Sequence, residues 1–253
     1  MRNYDMETLR RLAYTGTIYK YRPLNEDTYN TLEENHLWFA APSEFNDTFD
    51  CQIPLASDSS PEDITDYFVA FGHDRSHIEK ILNAQRIPVE DLLRELHSQP
   101  NFADEYVRIC CFSKRNDIKL MWSHYADKYK GVCLGFDPSK DPKMFAGLPV
   151  EYIDGTEFPR LDIFSDPHAF LKLILTKSSD WAHEEEVRVW KTREGSKQLY
   201  NFKPESLTHI IFGNKTPREH IDRVLEVVDG CTIKLQKVQL APPSLNLKIV
   251  DLS

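Results

Sequence analysis

Apolar positions along the chain recur at helical spacing in some stretches and alternate with polar ones in others, and the pattern switches every ten residues or so. The opening MRNYDMETLRRLAYTG reads as an amphipathic helix ended near Gly16, and TIYKYRPL, rich in β-formers, as a first strand stopped at Pro23. After Asn25, EDTYNTLEENH sets Tyr29 and Leu32 three apart among acids, which predicts a helix ending near Asn35. LWFAAP then reads as a short strand and SEFNDTFD as a turn-forming loop. From 57 to 104 the character is helical: Ser60, Pro61 and two acids open one helix, and Pro88 to Ser98 forms another with Leu92, Leu93 and Leu96 on one side.

The second half is richer in strands. EYVRICCFS predicts one, with Cys110 and Cys111 on opposite faces, so at most one of them faces any given pocket. KRNDIKLMWSHYAD reads as a loop and helix, KGVCLGFD and VEYID as strands, and HAFLKLILTKS as a helix. In EEEVRVW, Val187 and Val189 alternate with charge, as in a half-buried strand. LTHIIFG is a further strand, and Thr216, Pro217 and Glu219 spell a capping box opening REHIDRVLEVVD, which Gly230 stops. TIKLQKV and the tail APPSLNLKIVDL predict a closing strand and an edge. Helices and strands mix without regular βαβ alternation, which points to an α+β fold with a mixed, largely antiparallel sheet. We expect a single domain over 1–253, with 57–104 as a helical insertion that either buttresses the sheet or sets specificity.

Composition narrows the function. The formal net charge of −9 sets the overall field against phosphate backbones and anionic membranes, so only a local basic groove would take an anion. No apolar run approaches the roughly 18 residues of a bilayer span, and the opening lacks a signal peptide's apolar core, so a cytoplasmic protein with no membrane partner is expected. The five cysteines include no Cys-x-x-Cys pair, which argues for reduced thiols over a disulfide framework or structural zinc. The glycine-rich signatures of dinucleotide-binding and P-loop folds are missing, as are Gly-x-Ser-x-Gly and zinc-spaced His/Cys clusters.

Four segments in order, YKYRPL, LWFAAPSEFNDTFD, CFS…LMWSHYADKYKGVCLGFD and KSSDWAHEEEVRVW, resemble the signature blocks of a large bacterial domain family of unknown function. That family is often encoded in abortive-infection and other anti-phage loci. Two positions depart from its pattern: Thr48 stands where the family usually has Pro, and Tyr129 where it usually has His. At fold level the family resembles ADP-ribosyltransferases, in which an early strand gives His or Arg, a middle segment Tyr or Ser, and a late strand a catalytic Glu. The resemblance therefore implies a defence effector that acts on NAD as an ADP-ribosyltransferase or NAD glycohydrolase, with an unknown protein or nucleic-acid acceptor and an antitoxin or defence-system partner.

Carried onto this chain, the resemblance marks Tyr21 and Arg22, then Ser123, His124 and Tyr125, and finally Glu186 within Glu184-x-Glu186. Breaking the nicotinamide–ribose bond builds positive charge on the sugar, which a carboxylate such as Glu186 would stabilise more in the transition state than in the ground state. Glu184, two residues back and on the same strand face, would orient or deprotonate the nucleophile. Arg22 would pair with the pyrophosphate, and Tyr125 or Trp122 would stack on the nicotinamide. Asn46, Asp47 and Asp50 would wall the pocket.

Plainer readings stand beside these. EEEVRVW reads equally as an exposed strand face with Glu186 paired to Arg188 or Lys177, and Asn46, Asp47 and Asp50 as turn-capping residues. Met121 and Trp122 read as core, with His124 and Tyr125 left as the better site candidates because buried polar ends need partners. Two other functions remain open: a metal-dependent nuclease using Asp47, Asp50, Glu184 or Glu186 with Lys177, and a non-catalytic ligand-sensing module.

Overall fold

In the computed structural model, which describes residues 11–53, 59–70, 72–84, 102–158, 161, 162, 164, 166 and 168–252, the chain has an α+β fold. Apart from 3-10 turns and the four-residue helix Pro142–Phe145, its elements in order are β1 (Ile18–Arg22), α1 (Glu26–Glu34), β2 (His36–Trp38), α2 (Pro61–Ala70), α3 (Arg75–Ala84), β3 (Val107–Ser113), α4 (Lys119–His124) and β4 (Val132–Phe136). There follow β5 (Leu148–Pro149), β6 (Glu151–Ile153), α5 (Ala169–Leu175), β7 (Thr176–Ser178), β8 (Glu186–Thr192), β9 (Leu199–Asn201), β10 (Leu207–Phe212), α6 (Arg218–Val227), β11 (Lys234–Leu240) and β12 (Leu247–Asp251). Among the described residues the main sheet runs β12-β11-β10-β4-β1-β3-β8-β5, antiparallel except for β10 beside β11. Small ribbons pair β2 with β9 and β6 with β7.

Local chemistry accounts for the elements around the site. Strand β1 alternates Ile18, Lys20 and Arg22 on one face with Tyr19 and Tyr21 on the other, and its register against β4 runs from Ile18–Phe136 to Arg22–Val132. Helix α1 starts where the Asn25 side chain accepts from Thr28 N (3.1 Å), has Glu26 and Asp27 at its positive end, and stops at Asn35 in the left-handed region (φ 53°). Tyr29 and Leu32, at the spacing that predicts this helix, are both buried against the sheet.

The face carrying Ile18, Val132, Leu134, Phe136, Val187 and Val189 packs under α1 and α6. The opposite face is covered in two patches. Helix α4 lays Met121 and Trp122 over Tyr21, Cys133 and Ile211, while Ile64 and Phe68 of α2 and Ile78 of α3 pack with Ile109 and Ile174. The described helices of the 57–104 segment thus pack against this face of the sheet, and the helix read at Pro88–Ser98 lies outside the described residues. So does most of the opening helix, of which Arg11 and Leu12 are helical.

Several expectations change. The helix over HAFLKLILTKS ends at Leu175, and Thr176–Ser178 instead pairs in parallel with Glu151–Ile153, so Lys177 sits on a strand. The expected capping box at Thr216 does not form: Thr216 Oγ1 donates to Gly131 O (3.0 Å), and Pro217 holds the cap position with no side-chain bond. Strand β8 is buried on both faces from Glu186 to Val189 rather than half-buried. Glu184 belongs to the 3-10 turn Ser179–Glu184, not to the strand, because Glu185 breaks the chain into the left-handed region (φ 45°) before β8 begins.

One irregularity positions the site. β3 is paired with β8 from Val107–Thr192 to Ser113–Glu186, yet β1 and β3 meet at Tyr19–Ser113 alone. Beyond that pair the two strands part. Ala40 takes up part of the vacated edge, exchanging bonds with Ile109 (2.9 and 2.8 Å), and Lys20 Nζ spans the gap to Cys111 O (3.0 Å).

Candidate functional site

The parting of β1 and β3 opens a cleft of about 910 Å³, lined by β1, α1, β2, the 44–50 loop, β3 and the segment around Lys177–Glu186. Its volume falls in the range of small-molecule and cofactor sites.

At one end lies a buried ionic cluster. Arg188, fully buried, donates through Nε to Glu186 Oε1 (2.7 Å) and through both terminal nitrogens to Asp50 (2.8 and 2.5 Å), with a further bond to Ile174 O (2.7 Å). Lys177 Nζ sits 2.7 Å from Glu184, 3.1 Å from Glu186 and 3.6 Å from Asp50. All five side chains are at most 5% exposed. Each is brought there by local structure: Glu186 and Arg188 by the period of two on β8, Lys177 by β7, Glu184 by the turn before β8, and Asp50 by the loop after α1 and β2.

Burial alone would push the Glu186 carboxyl up, but the Arg188 and Lys177 cations outweigh it and hold its pKa down at about 2. Burial likewise opposes the charge on Lys177, and its surrounding carboxylates more than offset that, so its pKa is raised. Counting Asp50, Glu184 and Glu186 against Lys177 and Arg188, three negative charges face two positive ones. One negative charge is left over beside the cleft.

Asp50, Lys177, Glu184 and Glu186 all line the cleft, and Glu184 links the cluster to Tyr125. Glu184 Oε2 accepts from Lys177, while Oε1 accepts from the Tyr125 hydroxyl (2.6 Å), which itself accepts from Asn46 Nδ2 (2.9 Å). Burial first, and then the Glu184 charge, raise the Tyr125 pKa, so its hydroxyl stays protonated. Glu186 differs in that both its oxygens are taken up by cations, Arg188 and Lys177, whereas Glu184 meets one cation and one neutral hydroxyl.

On the β1 side the cleft carries cations. Arg22 is partly buried, donates to Thr31 Oγ1 (3.2 Å), and has its pKa pulled down by burial; among the described residues no carboxylate ion-pairs with it or with Lys20. A guanidinium in this state is a ready anion partner.

Of the candidates read from the sequence, Tyr21, Arg22, Asn46, Asp50, Tyr125, Lys177, Glu184 and Glu186 line this one cleft. Tyr21 spends its hydroxyl on Arg115 O (2.9 Å) and packs edge-on to Trp122. Ser123 and His124 are exposed and do not line the cleft: with Met121 and Trp122 buried and Tyr125 turned to Glu184, the phase of α4 sends the two residues between them to water. Asp47 does not line it either, and caps its own turn by accepting from Phe49 N (3.0 Å). Lys20, Trp38 and Leu199 line the cleft without having been singled out. The only prior signal for Lys20 is its place on the Arg22 face of β1.

Among the described residues no group of His, Cys, Asp and Glu is arranged to hold a metal ion. The Lys177 ammonium already stands among the three carboxylates, where such an ion would bind.

Residues 121–157 match a family described as a protein of unknown function (DUF2971). The matched stretch contains most of α4, Tyr125, β4 and β6. No curated protein and no solved structure matches the chain. Among the described residues no helix is long and apolar enough to cross a membrane.

Proposed function

We propose that the cleft binds NAD and that the protein transfers or hydrolyses its ADP-ribosyl group. The effector setting, in anti-phage defence with a protein or nucleic-acid acceptor, follows from the sequence resemblance. The observation that carries the chemical reading is the excess negative charge of the buried cluster, delivered to the cleft wall by Glu184 on Tyr125. NAD would bring a ribose that becomes positively charged as its bond to nicotinamide breaks.

Each residue then has a physical task. Glu184 sets a fixed carboxylate in a poorly hydrated wall, where charge stabilisation is stronger than in water and needs no reorganisation. Tyr125 orients that carboxylate, and its raised pKa keeps it a neutral donor. Lys20 and Arg22 suit a pyrophosphate because no carboxylate competes for them. Glu186, with both oxygens committed, fixes Lys177 and Arg188 and so holds the site's shape.

That same commitment of Glu186 favours a second reading, a pocket that binds the ligand without turning it over. Incubating labelled NAD with the protein and cell extract, wild type beside Glu184→Gln and Glu186→Gln, separates the two. Turnover lost in Glu184→Gln supports the transferase or glycohydrolase reading, and the labelled band identifies the acceptor. Tight binding without turnover in the wild type supports the sensor.

A further inference from the structure

We propose that the rim of the cleft formed by the β2–β9 ribbon is a stacking subsite for a purine base, with Trp38 as its platform and Leu199 as its flank. This rests on the nucleotide reading of the cleft and adds the part of the ligand that the charges leave unspecified. On the ribbon, Leu37 and Tyr200 face each other and are buried, at 0% and 9% exposure. The next pair, Trp38 and Leu199, points the other way and is exposed at 45% and 46%, although both line the cleft. Two large apolar side chains directly opposite each other, left open inside a cleft, form a flat surface suited to an aromatic ring.

The surroundings select a base over an apolar protein segment. The indole N–H donates to Glu44 Oε2 (3.4 Å), and that carboxylate also accepts from Gln198 Nε2 (3.0 and 3.2 Å), which tethers the ring by its edge. Glu34 at the same rim is occupied by His36 (3.2 Å). Asn30 on α1 also lines the cleft, and its amide carries donors and an acceptor able to read a base edge. The cations without carboxylate partners in the cleft, Lys20 and Arg22, complement the phosphates such a base would carry.

The test is calorimetric titration of the full chain with AMP, ADP-ribose and ribose 5-phosphate, for wild type, Trp38→Ala and Trp38→Phe. Wild type is expected to bind AMP and ADP-ribose more tightly than ribose 5-phosphate. Trp38→Ala should weaken AMP roughly 5- to 150-fold, the range for loss of one base–aromatic stack, and leave ribose 5-phosphate unchanged, while Trp38→Phe keeps most of the affinity. Equal AMP binding by Trp38→Ala and wild type, or equal binding of AMP and ribose 5-phosphate by wild type, overturns the subsite. AMP binding that follows Trp38 in a protein that does not consume NAD leaves the subsite standing and removes the transferase or glycohydrolase reading. Failure of every nucleotide to bind overturns both.

Discussion

Replacing Arg188 by Met probes the buried cluster most directly. Methionine fills a similar length without charge, so the change deletes the guanidinium and leaves Asp50 and Glu186 facing Lys177 alone, at 3.6 and 3.1 Å. Three carboxylates then share one cation, and the charge excess doubles. Breaking a buried pair in this way costs about 3–5 kcal/mol, chiefly for the charges left uncompensated, and Ile174 O loses its donor as well. In a chain of this size each kcal/mol lowers Tm by about 2–4 °C, so a fall of about 6–20 °C is expected at pH 7 by calorimetry or circular dichroism. The pH dependence adds a second constraint. Glu186 has a folded pKa of about 2 against an ordinary value of 4.5, so its stabilisation is present above pH 4.5 and lost as pH falls from there towards 2. That difference corresponds to about 3 kcal/mol, the same order as the cost of breaking the pair. In the variant the carboxylates are protonated more readily, so the gap to wild type narrows on acidification. A variant within about 1 °C of wild type at pH 7, or a gap that widens towards pH 4, would refute this account of the cluster.

Glu184→Gln removes the charge excess and leaves Glu186 to hold both cations, so its stability should stay within about 1 kcal/mol of wild type while NAD turnover falls by roughly 100-fold or more. Glu186→Gln should do the reverse in part, losing about 3 kcal/mol in urea titration because the ion pairs to Arg188 and Lys177 go with it. Tyr125→Phe frees Glu184 Oε1 and Asn46 and should lower turnover, and since burial and Glu184 raise the tyrosine pKa, the wild-type rate should show no phenol limb between pH 7 and 9. A combined Asp50→Leu, Glu186→Leu, Arg188→Met variant keeps only the neutral Lys177–Glu184 pair of the cluster. It should recover most of the Tm that Arg188→Met loses yet lack turnover, and full activity in it would show that the cluster does not shape the site.

Where local pattern alone decides structure, the sequence reads correctly. The Tyr29–Leu32 spacing and the β-forming TIYKYRPL and EYVRICCFS each give the observed element, and the opposed faces of Cys110 and Cys111 send only Cys111 to the cleft. Where a distant partner decides, it does not. The alternation in EVRVW looks identical whether Glu186 and Arg188 face water or each other in the interior, and only Asp50, 138 residues away from Arg188, resolves it. Lys177 continues an apolar helical period, and its pairing with Tyr152 across β6 and β7 overrides that period. At α4 the spacing that joins Met121 to Tyr125 already turned Ser123 and His124 elsewhere. Favouring His124 for its polar ring set that geometry aside.

Five buried charges are an ineffective route to stability, since apolar replacements of similar shape commonly do as well or better. What the cluster does that an apolar core does not is fix positions. Asp50 is clamped by Arg188 at the end of the loop that carries Asn46, and the next residue, Cys51, is held in the left-handed region (φ 58°), a conformation non-glycine residues adopt only when their surroundings impose it. Asn46 then meets Tyr125, Tyr125 meets Glu184, and Glu184 returns to Lys177. The loop, α4, β7 and β8 are thereby tied together across the end of the cleft where β1 and β3 have separated. A sheet that gives up ladder bonds at its centre needs something else to keep its two halves in register there, and charge-assisted bonds of fixed direction supply that tie while setting the Glu184 carboxylate in the cleft wall.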